Sequence, residues 1–284
     1  METHHSIDGL RADLRQGGKH PVVLVPTMGA LHAGHQQLIE HGRALAGSDG
    51  VLVVSIFVNP TQFGEGEDFE QYPRTLDADR KICAAAGADL IFAPPAGEMY
   101  HGEPSVEITE SIVSEHLCGA TRPGHFTGVC TVVAKLFNIA QPDVAVFGEK
   151  DAQQLAVIRR MVRDLNFPIE VVGVPTVREE SGLAMSSRNS YLDAGTRDAA
   201  AVIRARLLEA AAQFEAGERE SRKLIASIER GVSAAGADRI DYIEVVDDVN
   251  FQPVVKIDGN AVIAVAVVFG GTRLIDNIAL QPDT

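Results

Sequence analysis

The chain has 284 residues, 45% of them hydrophobic and 23% charged, with a net charge of −14. This is a globular composition with room for two domains, and its acidic balance argues against a broad nucleic-acid face, which needs a basic excess. Three cysteines (Cys83, Cys118, Cys130) without C-x-x-C spacing argue against a disulfide framework or a zinc site and for reduced thiols. The polar N-terminus lacks the apolar stretch of a signal peptide, and the longest apolar run, 261–269, is too short to span a bilayer as a helix. A cytoplasmic protein is expected. His4 and His5 carry no assignment.

In chain order, apolar runs at 22–25, 51–58, 89–93, 144–147 and 169–174 each end at Pro, Asn-Pro or Gly. Unbroken runs of this kind predict parallel strands buried on both faces. Between them lie helical patterns. Leu38, Gly42 and Leu45 share one face, as do Leu155, Ile158, Val162 and Leu165. Thr75 is placed to cap a helix whose first turn holds Asp77 and Asp79, acids that suit the dipole. Cys130, in the apolar run 128–133, reads as core. The alternation predicts an α/β fold: a Rossmann-like, doubly wound parallel sheet over residues 1–177.

Beyond it the composition changes. Helical patterns at 194–214 and 218–235 precede three strand patterns at 240–246, 261–269 and 273–280. Helices followed by successive strands predict a second, smaller α+β domain over 178–284 with an antiparallel sheet. Residues 178–189 read as the hinge.

In an open parallel sheet, ligands bind beyond the carboxyl ends of the strands. The unusual residues gather there: PTMGALHAGH (26–35) after the first predicted strand, NPTQF (59–63) after the second, GEKDAQQ (148–154) after a later one, with GLAMSSRN (182–189) at the domain junction. Gly29 permits a tight turn and Gly34 a close backbone approach at a helix start. His32 and His35, three apart, project from one side of the first turn, where free N–H groups suit a phosphate. A helix cap with two surface histidines is the plain alternative for such a pair; the preceding strand and the glycines favour the phosphate. No Cys or carboxylate set beside them completes a zinc shell. Lys150 offers a point charge for a phosphate, against the reading of a solvated lysine paired with an acid. Gln62, Gln153 and Gln154 both donate and accept, which suits a hydroxy acid. Ser186, Ser187 and Arg188 match phosphate oxygens, against the reading of a polar linker with an N-cap serine. In RPGHFTGV (122–129), Arg122 and His125 either line a site wall or belong to a turn with an incidental charge.

An H-x-G-H motif followed by a Met-Ser-Ser-Arg segment resembles the nucleotidylyltransferase superfamily. The ordered set PTMGALHAGH, IFVNPTQF, YPRT, RPGHFTGV, FGEKDAQQL and GLAMSSRNSYL is similar to the pantothenate synthetase (pantoate–β-alanine ligase) family in particular, over most of residues 22–192. The resemblance implies ATP-dependent condensation of pantoate with β-alanine through a pantoyl adenylate. It implies ATP contacts from Met28, Gly29, Ala30, Leu31, His32, Ala33, Gly34 and His35, from Gly148, Glu149, Lys150 and Asp151, from Val177, and from Met185, Ser186, Ser187 and Arg188. It assigns pantoate or β-alanine contacts to Gln62 and Gln154, and catalytic work to His35 (proton donor), His32, Lys150 and Arg188. It also implies Mg²⁺ and a homodimer. Two positions depart from the family pattern. Ala152 stands where an aromatic is common, and the acid-rich run after YPRT is Leu-Asp-Ala-Asp. No protein ligand of the metal is named, and ATP phosphates would supply most of its shell. The competing expectations are another HxGH adenylyltransferase acting on a different small acid or a phosphate acceptor, a tRNA synthetase, and a nucleotide-binding regulator without catalysis.

Overall fold

The computed structural model describes residues 1–102 and 104–282. The chain forms two compact units: Met1–Glu110 with Arg122–Glu149 and Val157–Pro175, and Ser111–Thr121 with Lys150–Ala156 and Thr176–Thr284. Residues 283 and 284, the end of the second predicted domain, lie outside the described residues.

The first unit is built on six parallel strands, β1 (Glu2–His4), β2 (Val22–Thr27), β3 (Val51–Ile56), β4 (Leu90–Phe92), β5 (Val144–Gly148) and β6 (Glu170–Val174), in the order β1-β4-β3-β2-β5-β6. Five match the predicted runs. The edge strand β1 does not, because three residues of mixed polarity carry no apolar signal; it pairs Glu2, Thr3 and His4 with Leu90, Ile91 and Phe92. His4 lies on this strand and its Nε2 meets Asp13 at 2.9 Å, while His5 Nδ1 meets the Ala93 carbonyl at 2.7 Å.

Its helices are α1 (Ile7–Gly17), α2 (Ala33–Ala46), α3 (Leu76–Ala85), the single turn α4 (Ala96–Met99) and, after the single turn α5 (Cys118–Thr121) of the second unit, α6 (His125–Ala140) and α7 (Ala152–Asp164) from Val157 onward. Val23, Val25, Leu52, Val54, Ile91 and Val146 point to one face of the sheet and pack with Ile39, Ala46 and Cys83 of α2 and α3. Leu24 and Phe92, alternating with these, are buried on the other face. Burial pushes the thiols of Cys83 and Cys130 up to about 12, as inert core groups.

Two predicted stripes need correction. On α2 the buried positions are Ile39, Gly42 and Ala46, one step round from the expected face, and Leu45 is 38% exposed. The reason is Gly42: a Cβ there would sit 2.9 Å from Leu52 and 3.1 Å from Val25, so the helix approaches the sheet along its glycine. On α7, Val157 and Met161 join Leu155 and Ile158 inside, whereas Leu165 lies past the helix end and is exposed.

The order of strand addition reverses about β2, with β3 on one side and β5 on the other. The β2–β5 ladder pairs only Val23 with Val144 and Leu24 with Ala145, so the strands part before their carboxyl ends. This is the switch point at which an open α/β sheet binds ligands.

The second unit contains α8 (Ala194–Ala200), α9 (Val202–Glu215), α10 (Ser221–Ala234) and an antiparallel sheet of β7 (Arg239–Asp247), β8 (Ala261–Phe269) and β9 (Thr272–Leu280), with β8 central. Gly270 and Gly271, both at positive φ, make the tight β8–β9 hairpin turn. Ile263, Val265, Val267 and Phe269 of β8 pack with Leu207, Phe214, Leu224 and Ile228 of the helices. The segment expected as a hinge folds as a small hairpin: Glu179 N–H donates to the Leu183 carbonyl and Met185 N–H to the Val177 carbonyl, both at 2.9 Å.

Candidate active site

The loop after β2 is fixed from below before it reaches the first turn of α2. Gly29 N–H donates to Thr27 Oγ1 at 3.2 Å, and that hydroxyl donates to the Ser55 carbonyl at the end of β3. Gly29 has φ +83°, and a Cβ would stand 3.0 Å from both Asp79 and Ile56, so glycine is required for conformation and for space. The next two amides, of Ala30 and Leu31, donate to the two oxygens of Asp79 at 3.0 and 2.8 Å.

His32 is the N-cap of α2. Its Nδ1 accepts from Gly34 N–H at 3.1 Å, and His35 Nδ1 accepts from His32 N–H at 3.3 Å, a reciprocal capping box made by two imidazoles. A ring nitrogen that accepts from an amide carries no proton. The geometry therefore assigns the neutral proton of each ring to Nε2, the edge turned from the backbone, as a donor for an anion requires. The rings are 4.1 Å apart between centroids. The capping reading and the phosphate reading are thus two sides of the same rings.

The NPTQF turn after β3 meets this loop within the first unit. Gln62 Nε2 contacts Met28 Sδ at 3.1 Å, and its Oε1 accepts from Asn59 Nδ2 at 3.2 Å. Asn59, 1% exposed, also donates to the Gly128 carbonyl, and its Oδ1 accepts from Tyr100 at 2.8 Å and from Thr61 Oγ1 at 3.0 Å. Burial raises the Tyr100 hydroxyl, keeping it protonated as that donor.

Arg122 and His125 stand behind the turn. Arg122 forks onto Glu67, with Nε to Oε1 at 2.7 Å, and its Nη2 donates to the Gln62 carbonyl at 3.2 Å. His125 Nδ1 meets the same carbonyl at 2.8 Å while its Nε2 faces Arg122 Nη1 at 3.1 Å. The two contacts fit the tautomer that carries its proton on Nδ1 and accepts at Nε2. Burial raises the Glu67 carboxyl, but the Arg122 hydrogen bond and charge outweigh it and hold it below the ordinary glutamate range. The pair is a brace for the Gln62 backbone and not an incidental turn charge.

The remaining predicted residues lie largely in the second unit. Gly148 ends β5; Glu149, Lys150 and Asp151 form a 3₁₀ turn ahead of α7. Asn277 Nδ2 donates to the Lys150 carbonyl at 2.9 Å. Of the two glutamines that follow, Gln153 is committed to the fold: its amide donates to the Val113 and His116 carbonyls, both at 2.8 Å, and accepts from Cys118 N–H at 3.0 Å. Both its donors are spent and it is 7% exposed, which departs from the expectation that both glutamines suit a hydroxy acid. Gln154, on the neighbouring face of α7, is only partly buried. Val177 and Met185 face each other across the hairpin, and Ser186 caps the 3₁₀ turn Ser187–Tyr191 by accepting from Arg188 N–H at 3.3 Å.

Sequence reasoning missed four groups here. Asp79 was read only as a helix-dipole acid, and the expected Thr75 cap is absent, since that hydroxyl donates to Asp79 at 3.1 Å. Glu67, Asn59 and Tyr100 gave no separate signal. Among the described residues, the one cluster of three metal-capable side chains is Glu2, His4 and Asp13, on the outer-edge strand β1 and on α1. Both Asp79 oxygens accept from loop amides.

A family model for pantoate–beta-alanine ligase matches residues 1–279. A pantothenate synthetase from Akkermansia muciniphila is 52% identical over 284 residues, covering 99% of this chain and all of that protein, and one from Clostridium acetobutylicum is 49% identical, covering 98% of each. The crystal structure of the pantothenate synthetase from Thermus thermophilus superposes with a TM-score of 0.92 at 45% identity, over 99% of this chain and 100% of that one. A pantoate–beta-alanine ligase from Francisella tularensis, complexed with beta-gamma ATP and beta-alanine, gives 0.81 at 31% identity over 98% and 97%. With the motifs, the parallel sheet and its second, antiparallel unit all in agreement, the chain belongs to the pantoate–β-alanine ligase family.

Proposed function

We infer that the chain condenses pantoate with β-alanine to give pantothenate, AMP and pyrophosphate, through a pantoyl adenylate. The observation that carries this reading is the Gln62 amide held between Asn59 and Met28, beside a helix start whose two imidazoles present Nε2–H. An uncharged amide that donates and accepts suits a hydroxy acid, and the helix start suits the α-phosphate. A phosphate acceptor would call for further cations next to Gln62, which disfavours other adenylyltransferases.

In the first step a pantoate carboxylate oxygen attacks the α-phosphorus of ATP, and the bond to the β-phosphate oxygen breaks as pyrophosphate leaves. Both partners are anionic. Lys150, Arg188, His32 and His35 offset that repulsion and stabilise the charge growing on the leaving group. Residues 28–35, 148–151, 177 and 185–188 hold the nucleotide. In the second step the free amine of β-alanine attacks the acyl carbon, the bond to the AMP oxygen breaks, and the amine loses a proton. Gln62 and Gln154 orient the pantoyl group through both steps. Mg²⁺, where bound, would be held chiefly by the ATP phosphates and would supply charge neutralisation there. The mixed anhydride is open to hydrolysis, and a role for residues 178–284 in closing over it follows from that chemistry. A homodimer and a cytoplasmic location complete the proposal; no helix among the described residues is long and apolar enough to cross a membrane.

The test is ATP–pyrophosphate exchange with and without pantoate. Exchange that requires pantoate supports the assignment. Exchange indifferent to pantoate but dependent on another acid would replace the substrate, and pantoate-independent transfer of AMP to a phosphate acceptor would replace the reaction.

A further inference from the structure

Within the second unit, the proposed nucleotide contacts lie on two separate stretches of chain, Lys150 ahead of α7 and the hairpin that carries Val177 and Met185 into Ser186–Arg188. One dipeptide of β9 touches both. Asp276 and Asn277 are consecutive in an extended strand, so their side chains leave opposite faces of the sheet.

Asp276, 4% exposed, pairs with Val265 on the helix-covered face. It accepts a two-pronged bond from Arg178, Nη1 to Oδ2 at 2.7 Å and Nη2 to Oδ1 at 3.0 Å, while Arg178 Nη1 also donates to the Gly182 carbonyl at 3.2 Å. Arg178 follows Val177, whose carbonyl receives Met185 N–H. One carboxylate thereby fixes both limbs of the hairpin. On the other face, Asn277 Nδ2 reaches the carbonyl of Lys150 at 2.9 Å, and the Asn277 backbone N–H donates to Asp276 Oδ1 at 2.8 Å, anchoring that carboxylate to the strand's own backbone.

We propose that Asp276 and Asn277 are positioning residues of the adenylation step: strand β9 acts as a spacer that holds Lys150 and the 177–188 segment in fixed register. This rests on the function proposed above. A buried ion pair adds little net stability over an apolar pair of the same size, so its value here is geometric. Holding the Lys150 carbonyl fixes its Cα and the direction from which Nζ leaves. Placement errors on the order of 1 Å cost about 10²-fold in rate.

The experiment is a double-mutant cycle on the full chain, read by pantoate-dependent pyrophosphate exchange. Asn277→Ala is expected to slow exchange by about 10- to 100-fold. In a Lys150→Ala background it is expected to add almost nothing, because its effect passes through that lysine. Asn277→Asp, which keeps the side chain's shape and loses the donor, takes its place should the alanine variant not fold. Asp276→Asn is expected to raise KM for ATP more than it lowers kcat. Losses that multiply in the double variant, or an Asn277 variant at the wild-type rate, overturn the proposal while leaving the function intact. A wild-type chain with no pantoate-dependent exchange overturns both.

Discussion

Asp79, at the first turn of α3 and 1% exposed, accepts the amide of Leu31 at 2.8 Å while its second oxygen accepts that of Ala30. A helix packed against the sheet thus organises the loop that precedes α2. Ala30 is held at φ +50°, a conformation an alanine keeps only where its surroundings impose it. Asp79→Ala removes the acceptor of two amides and of the Thr75 hydroxyl. Bonds to a charged group are worth about 1.5–3 kcal/mol each. We expect a folded but less stable protein with KM for ATP raised at least tenfold, and Asp79→Asn to fall between. Steady-state kinetics beside urea melts check this; a folded alanine variant with unchanged KM for ATP would show that the loop needs no such support.

Much of this is legible in the sequence. Five of the six strands of the first sheet announce themselves as apolar, largely β-branched runs stopped by Pro or Gly, since a strand buried on both faces leaves little room for polar residues. The loop motifs were legible because strand ends in such a sheet are where ligands bind. What escaped was long-range. Glu67 sits in the acidic stretch GEGEDFEQ, and nothing local distinguishes it from its neighbours; only the fold brings Arg122 to it. Gln153 and Gln154 look alike in sequence, yet a helix turns adjacent residues about 100° apart, and one is consumed by carbonyls while the other is not.

The Glu67–Arg122 pair carries a pH signature. Burial works to raise the Glu67 carboxyl, Arg122 more than reverses it, and the folded-state value lies below the ordinary 4.5. The folded chain then binds this proton less readily than the unfolded one. The stabilisation is fully present above the ordinary value and is lost as pH falls through the lowered one. Other carboxyls behave similarly, so the difference between wild type and Glu67→Gln isolates this one. We expect that difference, measured by urea denaturation, to shrink from about pH 6 to about pH 3. A difference constant over that range would remove Glu67 from the acid limb.

Gly128, in the first turns of α6, bears directly on the NPTQF turn. A Cβ there would stand 2.4 Å from the Thr61 carbonyl oxygen and 2.7 Å from the Gln62 amide nitrogen, both backbone atoms that cannot rotate aside. Gly128→Ala must push the turn away from α6 and with it the Gln62 amide from Met28. Overpacking of this kind costs about 1–3 kcal/mol. KM for pantoate is expected to rise while KM for ATP changes little; an equal rise in both would mean that the turn and the nucleotide loop move as one body.

The proposed roles of Lys150 and His35 both fall in the first step, adenylate formation. Lys150→Ala should slow adenylate formation by about 10²–10³-fold, the scale of one electrostatic stabiliser, because charge grows on pyrophosphate only in that step. His35 accepts through Nδ1 within the capping box, so its donor edge is Nε2. A donor to the α-phosphate region acts while the phosphorus–oxygen bond is breaking. Its removal should therefore depress pyrophosphate release more than the later amide formation. Rapid-quench measurement of both steps distinguishes the two: a His35→Ala variant that forms the adenylate at the wild-type rate and stalls only on β-alanine would move this histidine to the second step.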